Sequence, residues 1–256
     1  LKEAARLGLP VSCHCDAGGS QAQGEKAAGL GREVWSRTEE NIATERALRL
    51  GQETGAAIHI AHVSTKEALD MIRRAKATTV PPAATTGAPA ATTAPPAPTT
   101  GAAAGLSCEV SPMHLLLTKE HAEALGAESH GRVNPPLRDK ADCQALVAGL
   151  VDGSIDMICT DHAPHTAEEK AAGSPGFIGL ETSFAALKTS LVDAGAISLE
   201  KLSHLMSLAP AHLLGLKDRG LIEPGYRADL VLVDLAANWQ VQASDFKSKS
   251  QNSPFI

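Results

Sequence analysis

Short apolar runs and amphipathic helical stretches take turns along this chain, and that alternation restricts the fold more than any other feature. Residues 9–14 are apolar and short enough for a strand, and residues 38–51 follow with Ile42, Ala43, Ala47, Leu48 and Leu50 at helical spacing. Residues 57–63 predict a second strand and residues 65–76 a second helix, capped by Ser64 or Thr65 with Glu67 in its first turn. Residues 106–110 read as a strand, 140–151 as a helix closed by Gly153, and 155–160 as the next strand. Helices near 181–194 and 199–214 complete the series. Strand-then-helix units in succession require a parallel sheet with right-handed crossovers, so the fold class is α/β.

Two stretches break the pattern. Residues 77–105 contain only Ala, Thr, Pro and Gly apart from Val80, with no charge and too little apolar bulk for a core. This segment is expected to be a disordered tether inserted in a surface loop between a helix and the following strand, where added length costs little closure entropy. From Leu221 onward helices disappear. Residues 225–235 predict a turn and a strand, and Trp239-Gln240-Val241 the start of another, so residues 1–220 and 221–256 separate into an α/β part and part of a small antiparallel β unit.

Composition excludes several classes of function. The 256 residues are 43% hydrophobic, enough for one substantial core. Lys and Arg number 23 against 29 Asp and Glu, a net charge of -6 with no basic block, which argues against a nucleic-acid partner. No apolar run approaches the roughly 20 residues of a membrane helix. The five cysteines are odd in number and lie mostly in apolar runs, which fits a reducing cytoplasm rather than a disulfide framework. Cys13, His14 and Cys15 alternate between faces if they lie on a strand, so they cannot close around one ion. Leu1 is not an initiator Met and no signal pattern follows it, so the start is expected to be a cut end.

Three of the predicted strands end in groups that bind metals or move protons: His14, His62 and Asp161. In a parallel α/β barrel such ends converge on one face, where active sites lie. One histidine ending a strand is ordinarily a hydrogen-bonded structural residue. Three polar ends in successive units favour a shared cation, because each buried polar group needs a partner.

The sequence around those ends resembles the dihydroorotases of the cyclic amidohydrolase group. The resemblance is carried by Val11-Ser12-Cys13-His14-Cys15-Asp16, Ile60-Ala61-His62-Val63-Ser64-Thr65, Cys108-Glu109-Val110-Ser111-Pro112-Met113-His114, Asn134-Pro135-Pro136-Leu137-Arg138 and Thr160-Asp161-His162-Ala163-Pro164-His165. Gly179-Leu180-Glu181-Thr182 and residues 225–234 also match, so apart from the tether nearly the whole chain is covered. Hydantoinases and allantoinases usually carry another residue at the position of His165, which makes the Asp161 motif the most specific piece.

The resemblance implies a partial (β/α)8 TIM-type barrel, about strands 5 to 8, followed by part of a composite β-sandwich. It implies zinc, one ion or two, with His14 and His62 as ligands. It makes Asp161 the general base and acid, and Asn134, His165, Pro175 and Gly176 the substrate contacts. It implies interconversion of L-dihydroorotate and N-carbamoyl-L-aspartate in pyrimidine biosynthesis, with hydantoinase- or allantoinase-type cyclic amidase activity as the alternative. The third alternative is a non-catalytic scaffold for aspartate carbamoyltransferase. Partners besides the small-molecule substrate would be further copies of the chain or that transferase.

Departures from the family pattern are equally visible. Members begin their barrel with a His-x-His-x-Arg strand, and later supply a carboxylate or modified lysine that bridges the metals; neither is in this sequence. The chain on its own is therefore expected to be inactive. Relatives often read Cys-Glu-Asp where this chain has Cys15-Asp16-Ala17, and a histidine where it has Met113. His59, three residues before His62 and so on the opposite face of a strand, reads as a packed structural histidine, and neither it nor His114 receives a role.

Overall fold

In the computed structural model, which describes residues 1–15, 37–79, 105–127 and 129–256, the alternation becomes a four-stranded parallel sheet in the order β1-β2-β3-β4. A short helix α1 (Lys2–Leu7) leads into β1 (Val11–Cys13). Then come α2 (Arg37–Thr54), β2 (Ile58–Ile60), α3 (Lys66–Thr79) and β3 (Leu106–Val110). Two short helices that the periodicity does not predict, α4 (Pro112–Leu116) and α5 (Lys119–Leu125), precede α6 (Lys140–Asp152) and β4 (Met157–Ile158). The series ends with α7 (Ala167–Ala171), α8 (Ser183–Leu187), α9 (Leu199–Ser203) and α10 (Ala209–Leu213), with π turns extending α8 and bridging α9 to α10. Neighbouring strands in sequence order, joined by helical connections, form part of a (β/α)8 barrel.

The register decides which side chains face the helices. Cys13 pairs with Ile60 and Ile60 with Cys108, while Ser12 pairs with His59 and His59 with Ser107. Ile58, Ile60, Cys108 and Val110 join Leu69 and Ile72 of α3 and Leu146 and Leu150 of α6 in one buried cluster. Each such side chain contributes about 1.5–3 kcal/mol by leaving water. Helices α3 and α6 approach closely at Gly149, where a Cβ would stand 2.8 Å from Leu69 Cδ2. The alternate set, Ser12, His59 and Ser107, occupies the other face.

Local signals hold where chemistry dictates them. Thr65 rather than Ser64 caps α3, its hydroxyl accepting from the Ala68 amide at 3.1 Å. Gly153 closes α6 with φ 81°, which suits a residue without Cβ. All five cysteines are free thiols.

The β pairing expected beyond Leu221 is not formed. Residues 221–242 make no strand ladder, and Ile222, Leu230, Val231 and Leu232 are largely exposed. A strand needs a neighbour to take its amides and carbonyls, and no described residue supplies one. The end of the chain packs instead on the barrel loops: the Ile178 amide donates to Asn252 O at 2.9 Å, and the amides of Lys247 and Ser248 donate to the Glu181 carboxylate at 2.9–3.1 Å. Phe255 reaches a second apolar cluster of Met113, Leu117, Val133, Leu137 and Phe177. Met113 is therefore a packing residue, which accounts for an apolar side chain at that position. Of the low-complexity stretch expected to be a tether, residues 77–79 instead complete α3, and residues 80–104 lie outside the described set, as does Asp16.

Candidate active site

The ends of β1 and β2 bring two imidazoles together. His14 directly follows β1 and His62 stands two residues past β2, and because the strands are parallel neighbours their ends lie side by side. His14 Nδ1 faces His62 Nε2 at 2.5 Å, with ring centroids 4.4 Å apart and planes at 88°. Two nitrogens that close cannot both carry a proton between them. At least one presents a lone pair, the donor that a divalent cation takes. His62 is buried; burial first, and then the neighbouring His14, lower its pKa to about 4, so it is neutral at physiological pH. Its Nδ1 is a buried atom with no hydrogen-bond partner.

Asn134 completes this group. Its Nδ2 lies 3.4 Å from His14 Nε2, and its Oδ1 is buried without a hydrogen bond. The loop that carries it is held by His114, whose Nε2 donates to Pro135 O at 2.9 Å and whose Nδ1 accepts from the Ser111 hydroxyl at 2.7 Å. Burial is the main reason the His114 pKa falls to about 4. His114, which received no role from sequence, is thus a support of the Asn134 turn.

Asp161 follows β4, two strands from His62, and it does not join the imidazole pair as a third ligand. Among the described residues no group of three His, Cys, Asp or Glu side chains is placed to hold one ion. Asp161 still senses the site. Burial raises its pKa, partly offset by His114 and His14 and reinforced by Glu109. His62 (φ 33°) and Asp161 (φ 50°) are the two non-glycine residues with positive φ among those described. Backbone held there costs of order 1–3 kcal/mol and clusters at functional sites.

The remaining predicted contacts form a second group. His165 Nε2 donates to Pro175 O at 3.0 Å, and the Gly176 amide donates to Arg132 O at 2.9 Å, joining this loop to the one that carries Asn134. Gly176 has φ 141°, and a Cβ there would stand 2.6 Å from Ala163 Cβ, so the close approach requires glycine.

Several residues of the site were not singled out from sequence. Glu109 lies 3.3 Å from His59 Nε2 on the face of β3 shared with Ser107, and His59 Nδ1 bonds Ser107 Oγ at 2.8 Å, so His59 is the structural histidine expected. Alternation along Leu106-Ser107-Cys108-Glu109-Val110 could have flagged Glu109. Glu40 and Arg138, which brace the loop after β2, had no such signal because their partners are distant in sequence.

The amidohydrolase family pattern matches residues 1–254. A dihydroorotase of Clostridium botulinum (strain Eklund 17B / Type B) is 42% identical over 219 residues, 86% of this chain and 47% of its own length. A dihydroorotase of Lactiplantibacillus plantarum is 38% identical over the whole of this chain and 56% of its own length. Among solved structures, an L-hydantoinase (dihydropyrimidinase) from Arthrobacter aurescens superposes with a TM-score of 0.82 at 30% identity, covering 99% of this chain and 54% of that one. A dihydropyrimidinase from Brevibacillus agri NCHU1002 gives a TM-score of 0.78 over 100% of this chain and 54% of its own, a likeness of fold alone at 22% identity. The chain spans about half the length of the curated relatives it matches. With strand-end histidines side by side on a parallel α/β sheet and a match running from residue 1 to residue 254, this chain belongs to the amidohydrolase family.

Proposed function

We propose that the protein containing this chain is a zinc-dependent dihydroorotase, hydrolysing and re-forming the ring amide between L-dihydroorotate and N-carbamoyl-L-aspartate in cytoplasmic pyrimidine biosynthesis. The observation that carries the reading is the His14–His62 pair, two ring nitrogens facing at 2.5 Å from adjacent strand ends. The donor set fits zinc: a neutral buried imidazole and a facing partner are suitable ligands. When bound, zinc lowers the pKa of a water toward about 7 and polarises the amide carbonyl.

The chain's own residues supply the rest. Asp161 takes a proton from the attacking water as its oxygen bonds the ring carbonyl carbon, and delivers that proton to the ring nitrogen as the C–N bond breaks. A carboxyl raised by burial suits both directions. Asn134, His165, Pro175 and Gly176 hold the substrate. The described residues offer two imidazoles where catalytic zinc takes three protein ligands, so turnover requires ligands beyond these. Residues 1–220 act as the metal-dependent barrel part and 221–256 as part of a small β domain whose strand pairing needs a neighbour.

The likeness to proteins named dihydroorotase supports dihydroorotate as the substrate in this reading. The L-hydantoinase likeness supports a second reading, a hydantoinase-type amidase on the same site. Assaying dihydroorotate, hydantoin and allantoin side by side with the full-length protein separates them. Dihydroorotate turnover dominating is the expected result, and preference for either other ring overturns the assignment. Binding of aspartate carbamoyltransferase with no turnover of any of the three would establish the scaffold reading instead.

A further inference from the structure

Lys170, on α7, is 1% exposed, yet its ammonium meets no carboxylate among the described residues. Its Nζ donates to Arg132 O at 2.9 Å, Ser174 O at 2.8 Å and Gly176 O at 2.9 Å, with the Phe177 ring centroid 5.5 Å away. An ammonium has three N–H donors and here each finds a backbone carbonyl. Burial, and then the Arg132 charge, bring its pKa to about 8, which leaves it charged at neutral pH. An apolar side chain would fill this space without the cost of desolvating a charge.

The three carbonyls come from two loops that are distant in sequence. Arg132 stands two residues before Asn134, and Ser174 and Gly176 flank Pro175, whose carbonyl accepts from His165. Around the ammonium the loops are cross-tied: the Gly176 amide donates to Arg132 O, the Ala163 amide donates to Phe177 O at 2.8 Å, and Asn252 Nδ2 donates to Gly176 O at 2.9 Å. Without the cation, carbonyls of residues 132, 174 and 176 would converge on an empty point and repel.

We infer that Lys170 is a positioning residue whose ammonium clamps the 132–134 and 174–176 backbones, so that Asn134, His165, Pro175 and Gly176 stand as one preformed wall of the substrate site. The inference rests on the proposed function for what the wall binds; the clamp itself rests on the geometry. Preformed contacts cut the ordering cost of binding, so the clamp acts on affinity more than on the chemical step.

The test compares the zinc-loaded full-length protein with its Lys170→Met variant. The expected result is a KM for dihydroorotate raised by about tenfold or more, kcat within about threefold, and unchanged zinc content. Amide exchange at Gly176 and Ala163 should speed up by about tenfold while Cys108 and Val110 in β3 keep their rates. Wild-type KM in the variant overturns the proposal. If the wild-type protein turns over none of the three cyclic amides, the functional reading has failed, and the exchange rates alone decide the clamp: unchanged rates overturn it. Should Lys170→Met fail to fold, exchange in the wild-type protein decides. Gly176 and Ala163 amides as slow as those of β3 support the clamp, and rates typical of open loops end it.

Discussion

Arg138 Nη2 donates to Glu40 Oε2 at 3.1 Å, and both side chains are buried. The same carboxylate accepts from the amides of Ser64 at 2.8 Å and Thr65 at 3.2 Å, and Arg138 Nε donates to Ser64 Oγ at 3.0 Å. One ion pair thus joins α2, the loop that carries His62 and the loop that carries Asn134. Replacing Glu40 with Ala removes the buried carboxylate that Arg138 and the Ser64 and Thr65 amides share, and the expected loss is about 3–5 kcal/mol in chemical denaturation. Arg138→Met should cost a similar amount. The double change Glu40→Leu with Arg138→Met should recover part of it, because paired apolar groups leave no orphaned charge.

Asp142 gathers three helix starts. Arg37 at the head of α2 donates to it with both terminal nitrogens, one at 2.8 Å, and the Lys66 amide at the head of α3 donates at 3.0 Å. Asp142 itself sits in the first turn of α6. Burial alone would raise its pKa, but the Arg37 and Lys66 hydrogen bonds together with the Arg37 charge outweigh it and hold the carboxyl below its ordinary value. Its stabilisation is present above the unfolded value of roughly 4 and is lost as pH falls through the lower native value. Asp142→Asn should cost about 2–4 kcal/mol at neutral pH. The gap from wild type should narrow as pH falls below about 4, and a gap that stays constant down to about pH 2 would contradict the linkage.

Metal content provides a direct check on the imidazole pair. His14→Ala or His62→Ala should weaken zinc retention by more than the roughly 10–100-fold that loss of an outer partner costs, measured as metal per chain after dialysis. Chelation should abolish turnover of the full-length protein and added zinc should restore it. Zinc retained at wild-type affinity in both variants would remove the pair from the metal site.

Asp161→Asn keeps the shape of the side chain but cannot accept a proton. Turnover should fall by roughly 10²–10⁴-fold with zinc content unchanged. Activity equal to wild type would take Asp161 out of the mechanism.

Helix α3 ends at Thr79 and β3 begins at Leu106, at the ends of the strands opposite those that carry His62 and Asp161. Removing residues 80–104 while keeping Gly105, whose carbonyl accepts from the Ile58 amide, and bridging with a short Gly/Ser loop should leave kcat/KM within about tenfold. A greater loss would mean that the stretch touches the site or a partner.

Periodicity and strand ends made much of this chain legible. The helices at α2, α3 and α6 and the parallel sheet follow from local hydrophobic spacing, and His14 and His62 stand out because imidazoles close two successive apolar runs. Residues 225–235 look like a strand by the same criterion and form none here, because a strand is completed by a neighbour's backbone and not by its own pattern. Glu40, Asp142 and Lys170 carry no periodic signal, since each earns its place from partners in other segments: Ser64 and Arg138, Arg37 and Lys66, and the carbonyls of 132, 174 and 176. Sequence alone determined the α/β alternation and which residues could do chemistry. Tertiary structure decided which of them meet, setting His14 against His62 and bringing Asp161 within electrostatic reach of His14 and His114, because short-range pattern fixes elements while contact depends on how distant strands fall into register.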